Sequence, residues 1–515
     1  MRNRKFSMPI YINLLMLAAL IFGAGNLISA QKIAAENNQL VKFEKSIERG
    51  EYAAIERDLL NYAIKNPSDA KAFELLGKLR FAQNRLNEAK SLYQKALTLD
   101  ARSVSARINL ARLNFQTGNN ESAASILNQI AENDVTNDAL RLNLAQTFAV
   151  LGDCENAQIH LEKLDAKIKN SEALSVRAEC FTQSNENQKA VALIPAAKTA
   201  AKQNAAAVVK FAEILNKAAL YKEAADVLKV VVSAHPTNAD ALIALAKAEI
   251  QAKDLTNAKI HLDKAAKINP NAADLLFVRS LLEGEQGNAA QSLETLEKSL
   301  AANPNSAAIL SQYVVTAMRA NQAGKGLRAA EKLLNLQPNE PEYLYLHGAA
   351  ALQNNNLTAA ENSLSRFVET RPNDSRGCLA LGLTFAAQPA KLTEAQTQLR
   401  KCVQINPKNY EAKYQLGLSY KTQGETEKAI EFLEATVKDS PDYAMALRDL
   451  GAVYLQSGAE SKARIVLEKS AALNQNDADT HFQLSRLYNL TGETELAKKH
   501  LEIFQKLRNP TRSGM

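Results

Sequence analysis

The chain has 515 residues and a formal net charge of +7, with 6% aromatic residues and no tryptophan. Arg2, Arg4 and Lys5 supply three of the seven net charges, and the remaining Lys and Glu are interleaved along the chain. That pattern excludes the concentrated basic stripe of a nucleic-acid binder. Ala, Leu, Glu, Lys and Gln dominate and long β-branched runs are few, which predicts an all-α protein.

The first element is an apolar segment. No side chain between Lys5 and Lys32 is charged, residues 1–30 carry no acid, and Ile28-Ser29-Ala30 precedes Gln31. A basic start, an apolar core and a small residue are the order of a cleaved secretory signal. The same uncharged stretch is long enough for a membrane anchor, with membrane contact through residues 6–30. Both readings export the rest of the chain, to the periplasm or to the periplasmic face of the inner membrane, since Arg2, Arg4 and Lys5 would stay cytoplasmic. The next cysteine is Cys154, which excludes a bacterial lipoprotein anchor.

From there a beat of 34 residues runs along the chain. Small residues recur at Gly77, Ala111, Ala145, Ala178, Ala212, Ala246 and Ser280, and again at Gly348, Gly382, Gly417, Gly451 and Ser485. A second small residue follows twelve positions later, as at Ala89, Ala123, Ala360 and Ala429. A proline closes many units, among them Pro67, Pro236, Pro304, Pro372 and Pro441. A fixed period of this length marks an array of stacked repeats, which grows by adding neighbours rather than by enlarging one core.

Residues 410–443 show how one unit reads. Leu416, Gly417 and Tyr420 share one face of a first helix by the i, i+3, i+4 rule. Gly424 ends it, where Gly118, Gly152, Gly287, Gly458 and Gly492 recur, because glycine accepts the left-handed conformation of a helix stop. Ala429, Leu433 and Thr436 form the inward face of a second helix, which Asp439-Ser440-Pro441 terminates. The paired small residues fall where the two helices cross, and bulk there would force them apart.

Within this frame Cys154 opens a second helix and Cys180 lies late in the next first helix. Cys378 starts a first helix and Cys402 ends its partner. Antiparallel pairing brings each couple to one end of the stack. Two disulfides are one reading, in an oxidising compartment; four buried thiols are the other. No couple has metal-ligand spacing and no histidine accompanies them.

The phased residues Leu416-Gly417, Tyr420, Ala429, Leu433 and Pro441, repeated as Leu381-Gly382, Phe385, Ala395, Leu399 and Pro407, resemble the tetratricopeptide repeat (TPR) signature. Fourteen frames open near 36, 70, 104, 138, 171, 205, 239, 273, 307, 341, 375, 410, 444 and 478, so residues 31–511 are expected to be the array and 512–515 a tail. The first frame is weak, with Phe43 and Ile55 at the small positions, and Val314 replaces a small residue in the 307 frame. The resemblance implies a right-handed α-solenoid whose first helices line a groove for partners.

Carrying the family's contact positions over points to Phe277, Leu281, Met318, Tyr345, Leu383, Tyr414 and Leu418, with Arg319, Arg448 and Phe482 along or beside them. The surface is rather apolar and suits an extended or helical protein segment; packing between adjacent first helices is the alternative for these side chains. The carboxylate clamp of chaperone-tail adaptors would need Lys and Asn at positions held by Glu74 and Lys78, or by Ile108 and Arg112, and is absent. Six scattered histidines and no phosphate loop or nucleophile motif leave no candidate metal, cofactor or catalytic residue. The expected role is a non-catalytic scaffold for envelope or secretion proteins. A glycan-handling module with Tyr345, Tyr414 and Phe482 as platforms is the alternative.

Overall fold

The computed structural model describes residues 39–47, 49–164 and 173–509. Among these, all regular structure is helical and no strand occurs. First helices open at Ala70, Val104, Asp138, Ala205, Ala239, Ala273, Ala307, Pro341, Ser375, Tyr410, Ala444 and Ala478. Most are followed after a short turn by a second helix packed on them, as Tyr410–Gln423 is by Thr426–Asp439. The helices form two compact units. One comprises residues up to Gly287 with Lys298–Asn305, the other Asn288–Glu297 with the residues from Ser306 on.

Polar caps start many first helices two residues after the closing proline. Asp69, Asn238, Ser306, Asp374 and Asn409 each accept a hydrogen bond from a backbone N–H in the first turn. The proline stops one helix and the Asx or Ser cap starts the next, satisfying donors that lack intrahelical partners.

The turn inside most units has one residue with positive φ. Gly118, Gly152, Gly287, Gly424, Gly458 and Gly492 take it at φ 75–83°, but Asn84, Asn185, Ala219, Lys253, Asn321 and Asn355 take it in other units at φ 58–66°. The glycine expectation thus holds for the geometry and only in part for the residue. Asparagine tolerates this region through its local hydrogen bonding, whereas Ala219 and Lys253 carry the steric cost of a Cβ. In the 375 unit the inserted residues form a 3-10 turn, Pro389–Lys391.

The core is a chain of small-against-large contacts. A Cβ on Gly348, Gly382 or Gly417 would lie 2.5–2.8 Å from Cγ of Leu364, Leu399 or Leu433 on the second helix of the same unit. The 307 unit reverses the arrangement: Val314 and Ala330, both fully buried, occupy the corresponding positions. Total volume is conserved while the two helices exchange bulk. At the end of the first helices, Phe385, Tyr420, Tyr454 and Tyr488 are each covered by a cation, Lys391, Lys428, Lys462 or Arg464, 5.1–5.5 Å from the ring centre.

One unit departs from the helix-turn-helix expectation. The second helix of the 171 unit is broken into Asn187–Val191 and Ile194–Ala200, with Pro195 in the first turn of the latter. Proline removes a backbone donor and clashes with the preceding turn, so it can sit only near a helix start. No helix among the described residues is long and apolar enough to cross a membrane; the segment read as signal or anchor, residues 1–30, lies outside the described residues, as does the 512–515 tail.

Candidate partner-binding face

Neighbouring first helices are tied together at one repeat spacing. Within one compact unit, Lys78 Nζ donates to Glu44 Oε1 (2.7 Å), Asn109 Nδ2 to Glu74 Oε1 (3.4 Å) and Arg112 Nε to Thr147 Oγ1 (2.9 Å). Within the other, Gln353 Nε2 donates to the Met318 carbonyl (3.0 Å), Arg376 to Glu342 (3.0 and 3.1 Å) and Tyr414 Oη to Asp449 Oδ2 (2.9 Å). Each partner lies 34 or 35 residues away, so these contacts repeat with the array and fix the spacing of the first helices.

Asp449 is the centre of a buried network. It accepts from Tyr414 Oη, from Lys421 Nζ (2.9 Å) and from Arg448 Nη2 (2.9 Å), and Arg448 also reaches Asp477 at 3.4 Å. Burial pushes the Asp449 carboxyl up, but Lys421 and Arg448 outweigh it and hold the group below the usual carboxylate range. A second network links Glu44 and Glu74 with Lys71 and Lys78 at 2.7–3.3 Å.

The residues singled out from the sequence separate into three groups. Phe482 and Arg319 are exposed, as is Met445 at 47%. Phe277, Leu281, Met318, Tyr345, Leu383, Leu418 and Arg448 are half-buried. Tyr414, at 5% exposure and with its hydroxyl bonded to Asp449, is a packing residue rather than open surface. Tyr345 is half-covered too, because the Arg376 guanidinium stacks on its ring at 4.7 Å. Of the apolar contact positions on first helices of the second compact unit, Met318, Leu383, Leu418, Met445 and Phe482 keep exposed or half-exposed side chains.

The sulfurs of Cys154 and Cys180 stand at bonding distance, as do those of Cys378 and Cys402, with Cα atoms 5.6 Å apart in both couples. Cys378 and Cys402 are buried and link the two helices of one unit, whereas Cys154 and Cys180 link successive units. Among the described residues, no group of three or more His, Cys, Asp and Glu could hold a metal ion.

Sequence reading missed the buried polar pairs. Glu249, 1% exposed, contacts His261 Nδ1 at 2.8 Å and is pushed above the usual carboxylate range by burial. His481 and His500 meet through their Nδ1 atoms at 2.8 Å, and burial with His481 holds His500 low. No local motif marks such pairs; the signal is a polar residue in phase with the inward positions of the repeat.

Models of the tetratricopeptide repeat match residues 80–137, 215–276, 314–375, 386–450 and 422–487, more than half of the chain. The chain belongs to the tetratricopeptide repeat family. A segment of 97 residues is 31% identical to anaphase-promoting complex subunit 7 of Arabidopsis thaliana; it covers 19% of this chain and 17% of that protein's length. Among solved structures, the chain is similar to the APC/C hetero-tetramer Cut9-Hcn1, with 13% identity, 86% of this chain and 95% of that chain covered, and a TM-score of 0.43. A tetratricopeptide repeat protein from Parabacteroides merdae is also similar, with 18% identity, 52% and 98% covered, and a TM-score of 0.42.

Proposed function

We propose that this TPR protein is a docking scaffold whose first-helix face binds an extended or helical segment of another protein at the bacterial envelope. The observation that carries the reading is the run of apolar side chains left open on successive first helices. Leu383, Leu418, Met445 and Phe482 occur one per unit over four consecutive units, and Met445 and Phe482 are 47% and 39% exposed. Apolar groups offered one per unit along successive first helices match the anchors that a peptide in a groove requires.

Export is the compartment this reading assumes. The uncharged segment after Lys5 supports it, and so do two cysteine couples placed at bonding distance, since disulfides persist outside the cytoplasm. The partner would then be an envelope or secretion component. The glycan reading loses support because two of its three platforms are covered, Tyr345 by Arg376 and Tyr414 by its surroundings.

Substitution on the face tests the proposal. Met445→Glu with Phe482→Glu is expected to abolish capture of a cross-linkable envelope protein without unfolding the array. Ile465→Glu, on a second helix and 70% exposed, is expected to leave capture intact. Equal loss from both variants contradicts the assignment of the face.

A further inference from the structure

Tyr93 is out of step with its counterparts. It stands four residues after the small residue Ala89, where Leu127, Leu364, Leu399, Leu433 and Leu467 stand in other units. Its ring is packed on Gly77, whose added Cβ would lie 2.6 Å from two ring carbons. A leucine side chain ends at that glycine. The tyrosine continues beyond it, and its phenol lies within electrostatic reach of both Glu74 and Arg112 on the first helices. Among the described residues that hydroxyl makes no hydrogen bond.

The charges around it do not balance. Lys71 and Lys78 are matched by Glu44 and Glu74, all four within 3.3 Å of an opposite charge. Glu74 accepts in addition from Ser105 Oγ at 2.6 Å and from Asn109 Nδ2 at 3.4 Å. Arg112 is left over. Its Nε donates to Thr147 Oγ1 at 2.9 Å and its Nη2 reaches the Asn143 carbonyl at 3.5 Å, and no carboxylate among the described residues lies within 4 Å of it. Burial of this half-buried side chain lowers the arginine's pKa, and the Tyr93 phenol opposes that shift only in part. A desolvated cation without a counter-charge is costly. The cost is recovered when an anion arrives, and a guanidinium presents a planar fork that fits a carboxylate.

We propose that Arg112, which Thr147 and the Asn143 carbonyl hold on the first-helix face, is a subsite for one carboxylate of a docked polypeptide, with the Tyr93 phenol as part of its surroundings. The site offers a single unmatched positive charge, which suits the monoanion of an Asp or Glu side chain or of a chain terminus better than a phosphate dianion. The inference rests on the docking function proposed above and adds the chemistry of the partner: an acidic group seated on the first helices between the 70 and 138 units.

Immobilised fifteen-residue peptides test it against the full chain. One carries internal Glu with an amidated end, one the same sequence with Gln and an amidated end, and one the Gln sequence with a free carboxyl end. Binding is read by biolayer interferometry with the wild type, Arg112→Gln, Tyr93→Leu and the exposed control Arg102→Gln. The wild type and control should prefer at least one carboxylate-bearing peptide about tenfold, a difference of about 1.4 kcal/mol. The internal-Glu and free-end arms show which source is used. Arg112→Gln should erase that preference, and Tyr93→Leu, which restores the residue of the other units, should reduce it. Peptide binding with no carboxylate preference, or a preference that survives Arg112→Gln, overturns the subsite and leaves the docking function standing. No binding to any peptide overturns both.

Discussion

Gly417 faces Leu433 so closely that a Cβ on the glycine would lie 2.7 Å from Leu433 Cγ and 2.9 Å from its Cδ2. The same relation joins Gly348 to Leu364 and Gly382 to Leu399, so the helix crossing is set by a glycine on one helix and a branched side chain on the other. Gly417→Val is expected to destabilise the 410 unit by about 1–3 kcal/mol through overpacking. Adding Leu433→Ala should recover part of the loss, because Val314 with Ala330 shows that the exchanged arrangement packs. Amide hydrogen exchange over residues 410–439 measures both variants; strictly additive effects would contradict the contact.

Ala219 adopts φ 60° at the turn where glycine serves in other units. A left-handed alanine costs roughly 1–2 kcal/mol, partly offset in a replacement by the greater chain entropy of glycine. Ala219→Gly is therefore expected to stabilise the 205 unit by up to about 1 kcal/mol, read as slower hydrogen exchange in its two helices. Faster exchange would show that the turn is not strained.

Asp449 couples the array to pH. Its carboxyl is held below the unfolded value by Lys421 and Arg448 against the opposing effect of burial. A depressed group contributes stability that is complete above the unfolded carboxylate value, about 4, and that is lost as pH falls through the folded value. Asp449→Asn leaves two cations facing a neutral group and is expected to cost about 3 kcal/mol at pH 7. Thermal melting should show a large deficit at pH 7 that narrows toward pH 3. A deficit independent of pH contradicts the charge account.

The cysteine couples close loops of 26 and 24 residues. Cross-links of that size contribute about 3 kcal/mol each in the chain-entropy model. Protein taken from its native compartment should show no free thiol in denaturant, and all four after reduction. Four free thiols before reduction would contradict both the pairing and the support it lends to export.

Much of the fold was legible because the repeat speaks through many positions in phase. The helix starts, the proline stops and the small residues at the crossings follow from steric rules that act within one unit. Pro195 shows the limit: its effect depends on where the second helix begins, and a shift of a few residues turns a tolerated proline into a break. The candidate face was less legible. Tyr414 and Phe482 occupy the same position of their units, yet Tyr414 turns to Asp449 and is buried while Phe482 stays exposed. That difference is decided by the neighbouring unit, 35 residues away, which a single-unit pattern does not include. Tyr93 and Arg112 escaped for the same reason, since the missing counter-charge is visible only when three first helices are placed side by side.

The central claim is that partners dock on the first-helix face. Photo-cross-linking with benzoylphenylalanine at Leu383, Met445 and Phe482, and at Ile465 and Ile260 on second helices, tests it most directly in the native cell. The account predicts one discrete protein adduct from the first three positions and none from the last two. Adducts of the same protein from the second-helix positions alone would contradict it.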